Sequence, residues 1–402
     1  MRTIEEHREA ALALCAPVPS AEVPLHAAHG LVLAAAVHAA EPLPRWDCSA
    51  MDGFAVRAVD LAGAGDEDAV TLPLAGALPA GAVAVEELAA GRCVAIMTGA
   101  PVPPGADAVV PVELVDRGPG AVTFRAAPSA GAHIRRAGED LHAGDLVLGP
   151  GVVLGPTQLA ALAAAGAGSV EVHRRPRVAV LATGDELVPP GTPLRRGQIP
   201  ESNSFLLAAA VEAAGCEAVR LDPVGDRPED LRRALEHVEG IGVEAVVTTG
   251  GVSMGDFDVV KELLSGTDVE FVRVAMQPGK PQGIGRLAGG TPFFGLPGNP
   301  VSVFVSFEMF VRPALQRLRG RADLDREWRE HEVGEGWRTP AGRAQVMPVV
   351  LDDDDRVRRA SGGGSGSHLV ASLARAEALA LVPADVEAVE PGDRVLVMRV
   401  DQ

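Results

Sequence analysis

The sequence has no tyrosine, and aromatic residues make up only 3% of its 402 positions. Its cores must therefore be built from Ala, Val and Leu, and a hydrophobic content of 47% supplies enough of them. Cysteine is scarce as well: Cys15, Cys48, Cys93 and Cys216 lie far apart, with no C-x-x-C pair. That excludes a zinc site or a disulfide framework and predicts free thiols in a reducing cytoplasm. No apolar run reaches the length of a membrane span. The opening segment, Met1 to Cys15, is charged and amphipathic, unlike a signal peptide. We therefore expect a cytoplasmic protein with no membrane partner. A formal net charge of -18 argues against a nucleic-acid partner, although one basic pocket would suffice for a small anion. Also missing are a G-x-G-x-x-G fingerprint, a Walker A loop and a nucleophile elbow, which weakens dinucleotide, P-loop and acyl-hydrolase readings. No His pair or Cys cluster offers a site for a softer metal, and there is no fixed-period repeat.

What is present centres on Glu244 to Asp258, EAVVTTGGVSMGDFD. A β-branched run, Ala245 to Thr248, stops abruptly at Thr249-Gly250-Gly251, and a helical pattern starts near Asp258. This spells a buried strand, a glycine turn and a helix start. Glycines let a backbone approach a ligand closely, and successive N–H groups in such a turn form an anion cradle. Ser253, Asp256 and Asp258 add a hydroxyl and two carboxylates to the same turn.

The same alternation extends over 178–318. Val178 to Ala182 is a continuous apolar run ended by Thr183-Gly184-Asp185-Glu186. Helices are expected from Phe205 to Ala213, with Asn203 as the cap, from Pro228 to about Val238, and from Val301 to Leu318, with Asn299 as the cap. Strands are expected at Val219 to Val224, Val269 to Met276 and Pro292 to Leu296. Strands alternating with helices imply a doubly wound parallel sheet, whose ligands bind beyond the carboxyl ends of the strands. The flanking regions read differently. Residues 1–42 with 142–175 form a linker-type N-terminal domain, 43–141 a β-rich inserted domain, 176–320 the α/β domain and 321–402 a small C-terminal β domain. The fold class is thus multidomain α/β plus β.

The unusual loops converge on one rim of the sheet. They carry the carboxylates Asp185, Glu186, Asp226, Asp256 and Asp258, and Lys280 follows close by in Gln277-Pro278-Gly279-Lys280. Oxygen ligands beside a phosphate-type cradle suit Mg²⁺, which is commonly held by one or two carboxylates plus phosphate. Glu186, Asp226 and Asp256 are the candidate metal ligands. Candidate substrate-binding residues are Thr183, Gly184, Asp185, Glu201, Gly250, Gly251, Ser253, Lys280, Pro297, Gly298 and Asn299. The residues alone point to a Mg²⁺-dependent enzyme acting on a phosphorylated or nucleotidyl small molecule.

The chain also resembles the molybdopterin molybdenumtransferases, the MoeA family, which includes the C-terminal part of gephyrin. The resemblance rests on motifs in joint order: Ser49 to Ala55 (SAMDGFA), Thr98 to Pro103 (TGAPVP), Gly138-Glu139-Asp140, Thr183 to Leu187 (TGDEL), Thr248 to Gly255 (TTGGVSMG), Pro278 to Pro281 (PGKP), Gly295 to Ser302 (GLPGNPVS) and Gly364 to Ser367 (GSGS). It implies an elongated homodimer whose α/β domain is MogA-like, with a MogA-type adenylyltransferase as a further partner. The implied reaction takes adenylated molybdopterin and molybdate, inserts molybdenum and releases AMP with Mg²⁺. The family's site residues map onto Asp52, Thr98, Asp140, Glu186 and Asp226, and the cleft is implied to lie between two subunits. Two departures stand out. Glu201 occupies a position where the family often has Asp, and Gln277 stands where it often has Lys. The rival readings are a nucleotide pyrophosphatase on the same α/β domain and a non-catalytic, gephyrin-like scaffold.

Overall fold

The computed structural model describes residues 1–82, 86–252, 258–360 and 369–400. Its central feature is a six-stranded sheet in the order Glu217–Arg220, Arg177–Ala182, Ala245–Thr249, Pro292–Leu296, Pro281–Arg286 and Val269–Arg273. The first four strands are parallel, and Pro281–Arg286 runs against both of its neighbours. Alternate side chains serve two separate cores. Val178 and Val180 pack with helix Asn203–Ala213 and the long C-terminal helix, while Ala179 and Leu181 pack with helices Pro228–Gly240 and Val259–Leu264. Burial on both faces explains the uninterrupted apolar runs.

The expected multidomain α/β plus β class is what the structure shows, with differences inside the sheet; the strand expected at Val219 to Val224 lies earlier, at Glu217–Arg220. The strand Pro281–Arg286 (PQGIGR) carries no apolar pattern to reveal it. Its glycines serve close packing: a Cβ on Gly285 would lie 2.0 Å from the Asp268 carbonyl oxygen, and one on Gly283 would lie 3.0 Å from the Phe271 ring. The run expected to be one strand from Val269 to Met276 divides. Val269–Arg273 stays in this sheet, whereas Met276–Gln277 pairs in parallel with Ala344 and Gln345 of the C-terminal sheet. The helix expected from Val301 to Leu318 is present, but a π-helical stretch, Phe307–Val311, interrupts it.

Among the described residues, the flanking regions supply three sheets of three or more strands, besides two-stranded pairs. Ser20–Pro24, Ser169–His173 and Val32–Leu33 form one. A second joins Gly53–Val56, Cys93–Ile96 and four other strands around Phe54 and Phe124. The third holds Ala344–Leu351, Ala378–Val382, Arg394–Arg399 and Trp328–Glu332. All four cysteines are free and buried, and burial pushes the thiols of Cys15 and Cys216 up to about 12. Among the described residues, no helix is long and apolar enough to cross a membrane.

The first helix, Ile4–Ala13, opens with a capping box between Thr3 and Glu6. Sequence grouping puts it with the linker-type region, yet Ile4 and Ala11 pack into the α/β core. His7 stands edge-on to Phe310 with ring centroids 4.6 Å apart. Burial first, and then the Arg2 charge, lower the pKa of His7 from 6.5 to about 4. Between those values the unfolded chain binds one proton more than the folded chain, so stability rises with pH across the window and is lost as pH falls from 6.5 towards 4. The full effect is roughly 3 kcal/mol. Urea unfolding of wild type and His7→Leu at pH 7 and pH 4.5 tests this. The wild type should lose more stability on acidification than the variant, and equal losses would remove His7 as the cause.

Candidate functional site

The parallel strands end at one rim, and a cleft of about 580 Å³ opens there. Backbone hydrogen bonds fix its loops. The Thr183 N–H donates to the Thr249 carbonyl (3.0 Å), the Gly184 N–H to Val224 (3.0 Å) and the Gly250 N–H to Leu296 (3.1 Å). Two carboxylates then tie neighbouring loops together reciprocally. Asp226 Oδ2 accepts the Asp185 N–H at 3.1 Å, and Asp185 Oδ1 accepts the Asp226 N–H at 3.0 Å. Gly250 adopts φ 92°, in the region that favours glycine, and a Cβ there would lie 2.6 Å from the Thr183 carbonyl oxygen. The turn is therefore held against Thr183 by the absence of a side chain.

Among the described residues, four acidic ones line the cleft, Glu186, Glu201, Asp226 and Asp258, and no Lys, Arg or His does. The carboxylate of Glu201 is already committed. It accepts the Ser204 N–H at 2.7 Å and the Ser204 hydroxyl at 2.5 Å, and Arg220 donates to that hydroxyl at 3.1 Å. The longer side chain at 201 thus closes the first turn of helix Asn203–Ala213. Asn203, expected as the cap, is instead the first helical residue, and Ser202 is the N-cap. The Asn203 side-chain N–H₂ donates to the Gly298 carbonyl (2.7 Å) and to Thr249 Oγ1 (3.1 Å), while the Thr249 hydroxyl donates to the Pro297 carbonyl (3.0 Å). Asn203 Oδ1 and Thr183 Oγ1 are buried and have no hydrogen-bond partner among the described residues. Buried polar atoms are rarely left unpaired, so both mark places where a ligand group or water belongs. In the sequence Asn203 reads only as a cap, since nothing in its local pattern shows the contact to a loop 95 residues away.

The structure brings Thr183, Gly184, Glu186, Glu201, Asp226, Gly250, Gly251, Gly298 and Asn299 to this cleft. Asp185 sits behind it as the loop clamp, and Pro297 contributes its carbonyl to Thr249. Lys280 is not among the lining residues, and its carbonyl accepts the Val274 N–H. Ser253 and Asp256 lie outside the described residues. Glu186 and Asp226 are hard oxygen donors on one rim. Among the described residues no three His, Cys, Asp or Glu side chains cluster as a ready-made metal cage. One or two carboxylates completed by water and phosphate is the pattern that suits Mg²⁺, so this donor set fits that ion.

Asp52 and Thr98 form a second cluster. Asp52 Oδ1 accepts the Thr98 N–H at 2.7 Å and the Thr98 hydroxyl at 2.8 Å. These bonds, the backbone N–H foremost, hold the exposed Asp52 carboxyl below its ordinary range and keep it ionised at neutral pH. The two loops are laced together by Gly99 N–H to Ser49 O (2.9 Å) and Ser49 N–H to Ala100 O (3.0 Å). Met51, Met97 and Trp46 are exposed on the same loops. Arg136 is paired with Asp47 at 2.6 Å. Asp140 is exposed and donates its N–H to the Leu43 carbonyl. Within one chain, none of Asp52, Thr98 and Asp140 lines the α/β cleft.

Comparison with known proteins assigns the whole architecture. Residues 2–166 match the MoeA N-terminal region (domain I and II), 179–317 match the model described as "Probable molybdopterin binding domain", and 331–400 match the MoeA C-terminal region (domain IV). The chain is 43% identical to molybdopterin molybdenumtransferase 2 of Mycobacterium tuberculosis, over 99% of both chains. It is 35% identical to the molybdopterin molybdenumtransferase of Haemophilus influenzae, over 88% of this chain and 87% of that one. The crystal structure of the molybdopterin biosynthesis MoeA protein from Pyrococcus horikoshii superimposes over 100% of both chains, with a TM-score of 0.85 and 27% identity. These relatives do not favour the pyrophosphatase or scaffold readings. The chain therefore belongs to the MoeA family of molybdopterin molybdenumtransferases, transferases of molybdenum cofactor biosynthesis.

Proposed function

We propose that this enzyme transfers molybdenum from molybdate to molybdopterin presented as its adenylate, with release of AMP. The observation that carries the reading is the rim cleft, which Glu186 and Asp226 line together with Gly250, Gly251, Thr183 and Asn203, the last two bearing buried oxygens with no hydrogen-bond partner among the described residues. In this reading the glycine turn admits the ligand backbone to backbone, and Thr183 and Asn203 orient it by hydrogen bonds. Glu186 and Asp226 would hold Mg²⁺. When bound, that ion neutralises phosphate charge and makes AMP a better leaving group. Calorimetry on AMP should show tighter binding, by about tenfold, when Mg²⁺ is added. Glu186→Gln should abolish that gain, and an unchanged gain would take Glu186 out of the metal site.

Asp52 is the ionised carboxylate available as a proton acceptor, and Thr98 is the residue that keeps it so. Since it stands off the cleft of its own chain, the reading requires a homodimer in which each cleft is closed by the other chain's Asp52, Thr98 and Asp140. Asp52→Asn keeps the Oδ1 that accepts both Thr98 hydrogen bonds, so the fold should persist while molybdenum insertion falls on the order of a hundredfold. Wild-type insertion by that variant would return Asp52 to an ordinary turn.

The dimer has its own test. Asp52→Asn and Glu186→Gln should each be inactive alone. Mixed and allowed to exchange subunits, half of the dimers pair one variant with the other and carry one intact cleft, giving about a quarter of wild-type activity. No recovery despite demonstrated exchange, or a fully active monomer in sedimentation, would overturn the shared cleft. Cytoplasmic location and a MogA-type adenylyltransferase as supplier of the adenylate belong to the same proposal.

A further inference from the structure

Beside the cleft, the short strands Leu187–Val188 and Ile199–Pro200 pair in parallel. The Ile199 N–H donates to the Glu186 carbonyl at 2.9 Å, and the Glu201 N–H donates to the Val188 carbonyl at 2.8 Å. This pairing ties Ile199 to the segment that carries the Glu186 carboxylate, and both residues line the cleft, with Leu187 and Pro200 beside them. A further apolar side chain arrives from a different part of the fold. Val370 opens the short helix Val370–Leu373 of the C-terminal region. That helix lies against Pro300–Ser306, the first part of the long helix, and Val370 lines the same cleft. Ile199 is 51% exposed and Val370 43%. Single exposed apolar side chains are ordinary on a protein surface and need no explanation. These two differ because they meet on one concave surface, whose other residues are the glycine turn and the rim carboxylates. Apolar groups left open to water there gain when an apolar face covers them. Neither a phosphate nor a metal ion offers such a face, whereas a planar ring does. Small-molecule sites combine the two features in this way, with apolar lining for bulk and a few polar groups for orientation.

We propose that Ile199 and Val370 are specificity-determining residues that hold a planar heteroaromatic ring of the substrate, while its phosphate lies towards Glu186 and Asp226. This rests on the reading of the cleft as the site of an adenylated pterin. Such a ligand has two flat rings, the adenine and the pterin, and either offers the face that these side chains lack. Val370 gives the C-terminal region a part in recognition, since it reaches the cleft only through the packing of its helix on Pro300–Ser306.

The test is calorimetric titration of the full chain, with Mg²⁺ present, using AMP, ribose 5-phosphate and pterin. Ribose 5-phosphate keeps the sugar and phosphate of AMP and lacks the ring. If the ring is adenine, wild type should bind AMP about tenfold or more tighter than ribose 5-phosphate. Ile199→Ala and Val370→Ala should each narrow that ratio by about threefold and the double variant by about tenfold, with ribose 5-phosphate binding held within about twofold of wild type. Val370→Ile should keep the wild-type ratio. Leu194→Ala is the control: Leu194 is 52% exposed on the turn between the two short strands and is not a lining residue, so its loss should change nothing. Variants that lose AMP and keep pterin assign the adenine, and the reverse assigns the pterin. Circular dichroism and melting temperature establish that the variants are folded. The proposal is overturned if the folded double variant binds AMP and pterin like wild type, or if AMP and ribose 5-phosphate weaken equally and pterin is unaffected. It is equally overturned if wild type shows no preference for AMP over ribose 5-phosphate and no pterin binding at millimolar concentration. Variants that leave ring binding intact and instead shift a dimer to monomer in sedimentation assign the apolar surface to a second copy of the chain, which also overturns it. Ring discrimination in a chain that inserts no molybdenum would sink the transfer step alone. Insertion by a chain whose ring binding ignores both substitutions would sink this inference alone.

Discussion

The strands of the central sheet are buried on both faces, and this constraint sets the position of everything polar. Val178 to Leu181 feed one core with even-numbered residues and the other with odd-numbered ones, so no polar side chain can sit within the run without losing its water. Polar groups emerge only where the strands stop. Leu181, Thr248 and Gly295 are in register across three parallel strands, so those stops coincide. The glycine turn, the Asp185–Asp226 clamp and the Asn203 latch are local solutions to one problem: each satisfies backbone groups that the sheet no longer pairs. The clamp has the further effect of fixing where Glu186 and Asp226 face the cleft.

This logic also explains what could be read in advance. An apolar run that breaks at Thr-Gly is a strong local signal, and Thr183, Gly184, Gly250, Gly251, Gly298 and Asn299 were legible for that reason. The Asp52–Thr98 pair stood out in motif order, although its hydrogen bonds span 46 residues and could not be inferred from spacing. The strand Pro281–Arg286 was illegible because its pattern answers to neighbours. Gly283 and Gly285 are small because Phe271 and Asp268 press against them, and nothing within the hexapeptide says so. Arg2 was illegible for a similar reason. Its place against the sheet edge depends on a bridge to Val274, far along the chain.

Glu201 shows how a site can absorb a longer side chain. Its side chain is one methylene longer than the Asp that the family often has there. In the structure both oxygens close on Ser204, with Arg220 behind and its guanidinium 4.5 Å from the Phe205 ring. The carboxylate therefore spends its hydrogen-bonding capacity within the protein and serves the start of the helix that carries Asn203. Its contribution to ligand binding runs through the position of that amide.

Glu186 and Asp226 nonetheless remain on the cleft wall, and among the described residues that line it there is no cation to offset their repulsion of a phosphate. In water the repulsion between two unit charges 4 Å apart is about 1 kcal/mol, and at the effective dielectric of a protein surface it rises to about 4 kcal/mol. A phosphorylated ligand can enter such a cleft when a divalent ion arrives with it, which converts the acids from an obstacle into ligands. The same carboxylates that repel the bare anion then set where its phosphate must lie, and the adjoining Thr183 hydroxyl and Asn203 side-chain carbonyl oxygen, both buried and unpartnered among the described residues, are left to the polar groups beside it.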